Sequence, residues 1–60
     1  GVRVGRGAIV RNSILMQGVT VGDGCVLDHV VLDKGAVLRD GRTIVGYEGF
    51  PIILKKNAVV

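Results

Sequence analysis

Residues 4–38 decide the fold, and they read VGRGAIVRNSILMQGVTVGDGCVLDHVVLDKGAVL. Aliphatic residues recur along this stretch at steps of 6, 5, 6, 6, 5 and 6, so every third one returns at a constant offset of 17. A fixed short period of this kind is the signature of a repeat architecture, in which each repeat packs on its neighbours. The seven positions are Val4, Val10, Leu15, Val21, Leu27, Leu32 and Leu38.

This period predicts a three-sided coil that starts again at every third aliphatic residue, as from Val4 to Val21. Each side would be a short strand with its aliphatic residue pointing inward. Successive coils would stack about 4.8 Å apart, so that corresponding sides form parallel sheets. Glycines repeat in the same register, as in Gly18 with Gly35, and they predict corner turns because glycine tolerates positive φ. We expect a second inward residue four positions after each aliphatic one. These residues are Ala8, Ile14, Val19, Cys25, Val31 and Ala36.

The composition favours an all-β chain and excludes several other classes. Hydrophobic residues make up 48% and aromatic residues only 3%, so Val, Ile and Leu dominate, and β-branched residues favour strands. The single cysteine, Cys25, cannot form an internal disulfide, and with one histidine it cannot complete a structural zinc site. The net charge of +3 is scattered, so nucleic acid is not an expected partner. No apolar run is long enough to span a membrane, and an unpaired thiol fits a cytoplasmic location.

The pattern weakens after Leu38. Arg42 falls where a small inward residue is expected, and Gly49 falls where an aliphatic one is expected. Residues 45–51 contain the only Tyr, Phe and Pro and predict an irregular loop. We expect this loop to pack over a sheet face, with docking on a partner as the alternative. Because neither end of the pattern has a capping repeat, we expect residues 1–60 to be a β-helix fragment of a larger chain, with about three and a half coils.

The repeat resembles the hexapeptide repeats of left-handed parallel β-helices. Handedness comes from this resemblance, since spacing does not fix it. The blocks Val10–Gly18 and Asp28–Leu38 are more specifically similar to the C-terminal domain of bacterial glucose-1-phosphate adenylyltransferase. Residues 47–60 resemble the glycogen-biosynthesis (non-catalytic) subunit of that family.

That resemblance implies a function for a larger protein. The family makes ADP-glucose from ATP and glucose 1-phosphate, with Mg²⁺, in an N-terminal nucleotidyltransferase domain that is outside these residues. The β-helix is implied to hold sister subunits together in a homo- or hetero-tetramer and to help form allosteric sites for sugar phosphates. The chain itself is expected to carry no catalytic residue and no cofactor, and whether the parent subunit is catalytic stays open.

The resemblance also suggests effector-binding residues. Lys34 matches a lysine that contacts anionic activators in some members, although Gly35 stands where the family has Asn. Lys56 occupies a register similar to a second activator lysine, and Arg39 and Arg42 could join the same anion site. A lysine can pair with phosphate as a point charge. The alternative is that all four are ordinary solvated surface charges.

Two other functions compete with this interpretation. Hexapeptide acyltransferases use a histidine as general base at the interface of a trimer, and His29 is the only candidate. A polar stack of His29 on Asn12, one coil earlier, is the more ordinary interpretation. Cys25 is expected to be a buried small side chain. A free-standing β-helix that only binds partners is the third hypothesis.

Overall fold

The computed structural model describes all 60 residues, and it contains strands and turns but no helix. No helical segment could therefore cross a membrane. Each strand has two or three residues, as expected for a small coil with tight corners. The strands are β1 Arg3–Val4, β2 Ile9–Arg11, β3 Ile14–Leu15, β4 Thr20–Val21, β5 Val26–Asp28, β6 Val30–Leu32, β7 Val37–Leu38, β8 Thr43–Val45 and β9 Ile52–Leu54.

The nine strands form three parallel sheets, one for each side of the coil. Sheet A has the order β1-β4-β7, sheet B β2-β5-β8 and sheet C β3-β6-β9. Val4 pairs with Val21 and Val21 with Leu38, which is the offset that the aliphatic pattern predicts. The all-β parallel architecture and the period of the coil are therefore confirmed.

The core lies in the middle coil and the side of the next coil that covers it. Leu27 and Leu32 are fully buried, whereas Val10 and Leu15 of the first coil are only half-buried because they have a neighbouring coil on one side. Burial of each aliphatic side chain contributes roughly 1.5–3 kcal/mol. The buried cluster consists of Val19, Val21, Cys25, Leu27, Val30, Leu32, Ala36 and Leu38.

The expectation that Ile14 and Val31 point inward is wrong. Ile14 is 60% exposed, and the fully buried residue of the next coil is Val30. Asn12 and His29 adopt φ of 49° and 54°, and this left-handed turn ends the side after fewer residues. On this side of the coil the second inward residue therefore comes three positions after the aliphatic residue instead of four. The spacing to the next inward aliphatic residue is correspondingly 5 instead of 6, as from Leu27 to Leu32.

The corner between sheets A and B is held by a ladder of aspartates. Asp23 Oδ1 accepts a hydrogen bond from the Arg6 amide at 2.9 Å, and Asp40 Oδ1 accepts one from the Asp23 amide at 2.8 Å. Each carboxylate lies against the backbone of the coil below. At Gly22, an added Cβ would lie 2.5 Å from Asp40 Oδ1 and 2.6 Å from the Asp40 backbone nitrogen. Glycine is required there because no side chain fits between the coils.

An insertion precedes β9. Val30 pairs with Ile52, an offset of 22, whereas Val26 pairs with Thr43 at the regular offset of 17, so sheet C keeps its pairing despite the insertion. Tyr47 and Phe50 close a tight turn through two backbone hydrogen bonds of 3.2 and 2.9 Å. Tyr47 is 75% exposed and Phe50 83% exposed. The expectation that this loop packs over a sheet face is therefore wrong, and both rings face solvent.

The upper end of the coil is open on two sides. Arg42 occupies the place of Cys25 one coil later and is exposed, since no further strand of sheet B covers it. Sheet A alone continues into a fourth coil, where Val59 bridges to Val37 and the Val60 carbonyl accepts from the Arg39 amide at 2.9 Å. The pattern fails at Arg42 because its position no longer needs a small buried side chain.

The buried middle coil predicts a strong dependence on Leu27. Leu27→Ala should lower the free energy of unfolding by about 2–5 kcal/mol because it leaves a cavity in the core. Val26→Ala is the matched control, since Val26 lies in the same strand on the outer face, and it should cost less than about 1 kcal/mol. Chemical denaturation of the full-length protein checks this. Equal losses for the two variants would contradict the assignment of inward and outward faces.

The aspartate ladder predicts that Gly22→Ala is severely destabilising. The new Cβ would force the Asp40 backbone away, with an expected cost of more than about 2 kcal/mol. Gly49→Ala is the control, because no atom lies within 4 Å of its Cβ position and its φ is not positive. Thermal unfolding should show a loss for the first variant and little change for the second. A neutral Gly22→Ala would show that the coils are not this close.

Candidate functional site

Lys34 and Lys56 lie at the corner where each coil passes from sheet C to sheet A. Gln17, Lys34 and Lys56 occupy the same position of this turn in three consecutive coils. The Gly35 amide donates to the Gln17 carbonyl at 3.0 Å, and the Asn57 amide donates to the Lys34 carbonyl at 2.9 Å. These bonds place the two lysine backbones on neighbouring coils, about 4.8 Å apart. The structure therefore brings these two predicted effector residues together.

The turn geometry explains why the residue after Lys34 is glycine. Gly35 has φ of 70° and Asn57 has φ of 60°, a region that glycine adopts freely and Asn tolerates. The side-chain oxygen of Asn57 also lies against the position that a Cβ of Gly35 would occupy. Gly35, which departs from the family's Asn, is therefore matched to Asn57 on the next coil.

The two ammonium groups are available for an anion. Both lysines are exposed, and neither forms an ion pair, since the one charged contact of the chain joins His29 to Asp28. The nearest acidic residue in sequence, Asp33, uses Oδ1 to accept the Lys34 amide at 2.6 Å. The corner thus presents two unpaired cations on consecutive coils, an arrangement that suits a phosphorylated ligand.

Arg39 and Arg42 lie elsewhere. They flank the turn at Asp40 and Gly41, at the corner between sheets A and B. Strand β7 separates this corner from the lysines, and both arginines are exposed. Of the four predicted effector residues, the structure therefore brings Lys34 and Lys56 together and places Arg39 and Arg42 at a different corner.

The corner between sheets B and C holds a polar cluster around Asp28. Its Oδ1 lies 2.9 Å from His29 Nδ1 and accepts a hydrogen bond from Asn12 Nδ2 at 3.2 Å. The His29 side chain keeps 29% of its surface exposed, and Nε2 has no partner. Sequence reasoning found the stack of His29 on Asn12 but missed Asp28. The signal was present, because Asp28 lies one coil above Arg11 and next to the corner.

No enclosed site accompanies these corners. The surface has no pocket, and no three His, Cys, Asp or Glu side chains converge to hold a metal ion. Cys25 is buried, and its Sγ lies 3.1 Å from the Arg39 carbonyl. A ligand would therefore bind on an open corner of this chain or between it and another protein surface.

Comparison with known proteins agrees with the repeat geometry. The family described as GlmU-like, C-terminal hexapeptide, matches residues 1–49. No curated protein matches the chain, and no solved structure matches it. The match covers strands β1 to β8 and part of the loop before β9. The chain therefore belongs to the GlmU-like C-terminal hexapeptide family, and its three-sided coil is the left-handed parallel β-helix of hexapeptide repeats.

Proposed function

We propose that this chain is the assembly and regulatory β-helix of a glucose-1-phosphate adenylyltransferase subunit that serves ADP-glucose and glycogen synthesis. The blocks Val10–Gly18 and Asp28–Leu38 support it through their resemblance to that family. In the structure the first block forms the end of β2, β3 and the corners on either side of β3, and the second forms β6, β7 and the Lys34 corner. Each block therefore contributes both surface residues and inward-facing residues to the repeat.

The observation that carries the proposal is the pairing of Lys34 with Lys56. A single exposed lysine is ordinary, but two unpaired lysines stacked at one corner raise the local positive potential. A sugar phosphate carries two or more negative oxygens on one face, so it can contact both ammonium groups at once. We assign this corner as the effector site, with Arg39 and Arg42 left as surface cations at the other corner.

The remaining parts of the function would come from other surfaces. ATP and Mg²⁺ would bind in a nucleotidyltransferase domain of the same chain, as the family resemblance implies. Sister subunits in a homo- or hetero-tetramer would be the second partner, and the cytoplasm the compartment where sugar nucleotides are made. The β-helix would supply assembly and regulation without a chemical step of its own.

The lysine pair predicts an effect on regulation without an effect on folding. Lys34→Ala should raise the half-saturating concentration of a hexose bisphosphate by about tenfold in the full-length protein, since one charge-assisted contact is lost. The fold should persist because Lys34 contributes only its backbone carbonyl to the coil contact with Asn57.

Arg3→Ala is the matched control, since Arg3 is an exposed cation on β1 of the first coil, and β4 lies between β1 and β7. It should leave the response to the hexose bisphosphate and to inorganic phosphate unchanged. An unaltered response in Lys34→Ala, measured with both anions, would remove this corner from the effector site.

Acyl transfer is a second candidate, and the contact between His29 and Asp28 favours it. A carboxylate 2.9 Å from Nδ1 would orient the imidazole and leave Nε2 to act as a general base toward an acceptor amine or hydroxyl. The family description mentions a GlmU-like protein, and a histidine at a corner could meet a neighbouring subunit. The absence of any pocket on one chain means that the second subunit would have to complete the site.

His29→Asn separates this role from the structural role of the corner. Asn12 already occupies the equivalent position with φ of 49°, so Asn at position 29 should keep the turn while removing the base. Acetyl transfer from acetyl-coenzyme A should fall at least about a hundredfold if His29 is the base. An equal rate in the wild-type protein and the variant, with unchanged thermal stability, would exclude this candidate.

A further inference from the structure

The aspartate ladder at the corner between sheets A and B ends with an amide that has no partner. In the lower coils, the Arg6 amide donates to Asp23 Oδ1 and the Asp23 amide donates to Asp40 Oδ1. The Asp40 amide is the next rung, and it donates to no atom of the chain. Because the coil repeats, this amide points toward the open upper end, as the two amides below it point toward their acceptors. It is therefore a fixed donor at a position where both lower coils bind a carboxylate oxygen.

Arg39 keeps this rung open. It occupies the position that Gly5 and Gly22 occupy in the lower coils, since the amides of all three donate to the same column of carbonyls. A Cβ on either glycine would lie 2.6 Å from the backbone nitrogen of the aspartate one coil above. Only glycine permits so close an approach of two backbones. A further coil of the same geometry therefore cannot cover Arg39, whose Cβ points into the space above the ladder.

Arg42 adds a second cation to this corner. It occupies the position of Ala8 and Cys25, the inward residues of the lower coils, and it is exposed. The turn that joins it to Arg39 contains Gly41 with φ of 75°, and this turn brings both arginines to one corner. Neither guanidinium forms an ion pair with a carboxylate of the chain. Both are therefore free to bind an anion beside the unpaired amide.

The other charged groups of this corner lie below the open rung. Asp40 directs Oδ1 to the coil below, and Asp23 does the same one coil lower. Arg6 lies at the lower end of the column. The Arg39 amide is already used, since it donates to the Val60 carbonyl at 2.9 Å. The corner has three arginines against two aspartates, and the excess positive charge lies at the upper end.

We propose that the upper end of this corner binds a carboxylate, supplied by a small organic acid or by an acidic side chain of another protein. One carboxylate oxygen accepts the Asp40 amide, as a carboxylate oxygen accepts the equivalent amide in each lower coil. The second oxygen accepts from a guanidinium, Arg39 or Arg42, whose planar fork suits a carboxylate. Water would satisfy an exposed amide alone, but the two cations favour an ionised acceptor, and such hydrogen bonds are the stronger ones.

Chemical modification of arginine tests this site in the unaltered full-length protein. Phenylglyoxal should modify Arg6, Arg39 and Arg42, because all three are exposed. At constant ionic strength, citrate should slow the modification of Arg39 and Arg42 at least about fivefold, because the ligand covers both guanidinium groups. Arg6 should react at an unchanged rate, since the carboxylate of Asp23 already accepts its amide. Peptide mass spectrometry measures the three rates.

A capped aspartyl-glycine dipeptide, used in place of citrate, distinguishes the two sources of the carboxylate. Protection by the dipeptide supports an acidic side chain as the ligand, and protection by citrate alone supports a small organic acid. Protection by neither ligand, or equal protection of Arg6, overturns the proposal. Tighter binding of inorganic phosphate than of citrate overturns the choice of a carboxylate, which rests on the carboxylate acceptors of the two lower rungs.

Arg39→Gly tests the same site by calorimetry. This variant restores the glycine of the lower coils, so it should keep the fold. Its dissociation constant for citrate should rise at least about tenfold, because a hydrogen bond to a charged group is lost. Arg6→Ala is the matched control, an exposed cation of the same corner at the lower end, and it should bind citrate as the wild-type protein does. Unchanged affinity in Arg39→Gly, or an equal loss in Arg6→Ala, overturns the proposal.

This site does not depend on the effector site proposed above, because β7 lies between the two corners. Lys34→Ala should therefore leave the affinity for citrate unchanged, whatever its effect on the response to a hexose bisphosphate. A loss of citrate affinity in Lys34→Ala equal to that in Arg39→Gly would show a diffuse cationic surface and overturn the discrete site.

Discussion

The structure depends on hydrogen bonds that join each coil to the next at a constant offset. The Gly5 amide donates to the Val21 carbonyl and the Gly22 amide to the Leu38 carbonyl, both at 2.8 Å. Buried backbone amides and carbonyls need such partners, and in a coil of two- and three-residue strands most of them come from neighbouring coils, while a few corner amides such as that of Ala36 bond within their own turn. Any change of register would break all three sheets together, so the chain keeps its pairing even where the loop is inserted before β9.

This constraint turns the sequence into columns of stacked side chains. Inward columns hold the aliphatic core, and outward columns give each face a single chemical character along the axis. Lys34 and Lys56 share a column at one corner, as do Asn12 and His29 at another. A repeat protein can therefore build a site from residues that are one full coil apart in sequence without any pocket. The corners are where this chain differs from a uniform coil.

The corners differ because the turn at each of them is formed by different residues. Between sheets A and B, glycines make room for aspartates that accept amides from the coil below. Between sheets B and C, Asn12 and His29 take the left-handed conformation with help from Asp28. The left-handed conformation of Asn12 and His29 is strained, and the surrounding hydrogen bonds offset this strain. His29 therefore has a structural role in this turn, and its Nε2, which has no hydrogen-bond partner, is also available for chemistry.

The sequence alone determined the period of the coil, its three sides, the glycines at the corners and the identity of most core residues. These follow from the spacing of aliphatic residues, because a parallel stack must repeat its inward positions at every coil. Family resemblance, rather than the period, singled out Lys34 and Lys56, and the structure placed them one above the other. Only the tertiary structure decided that Val30 rather than Val31 is buried, because one positive φ at His29 changes which side the next residue faces. Only the structure showed that Arg39 and Arg42 lie at another corner and that Tyr47 and Phe50 face solvent. Composition does not encode the direction in which an inserted loop leaves the coil, since that direction is set by the backbone torsions and contacts around Gly46, which lies against the His29 carbonyl.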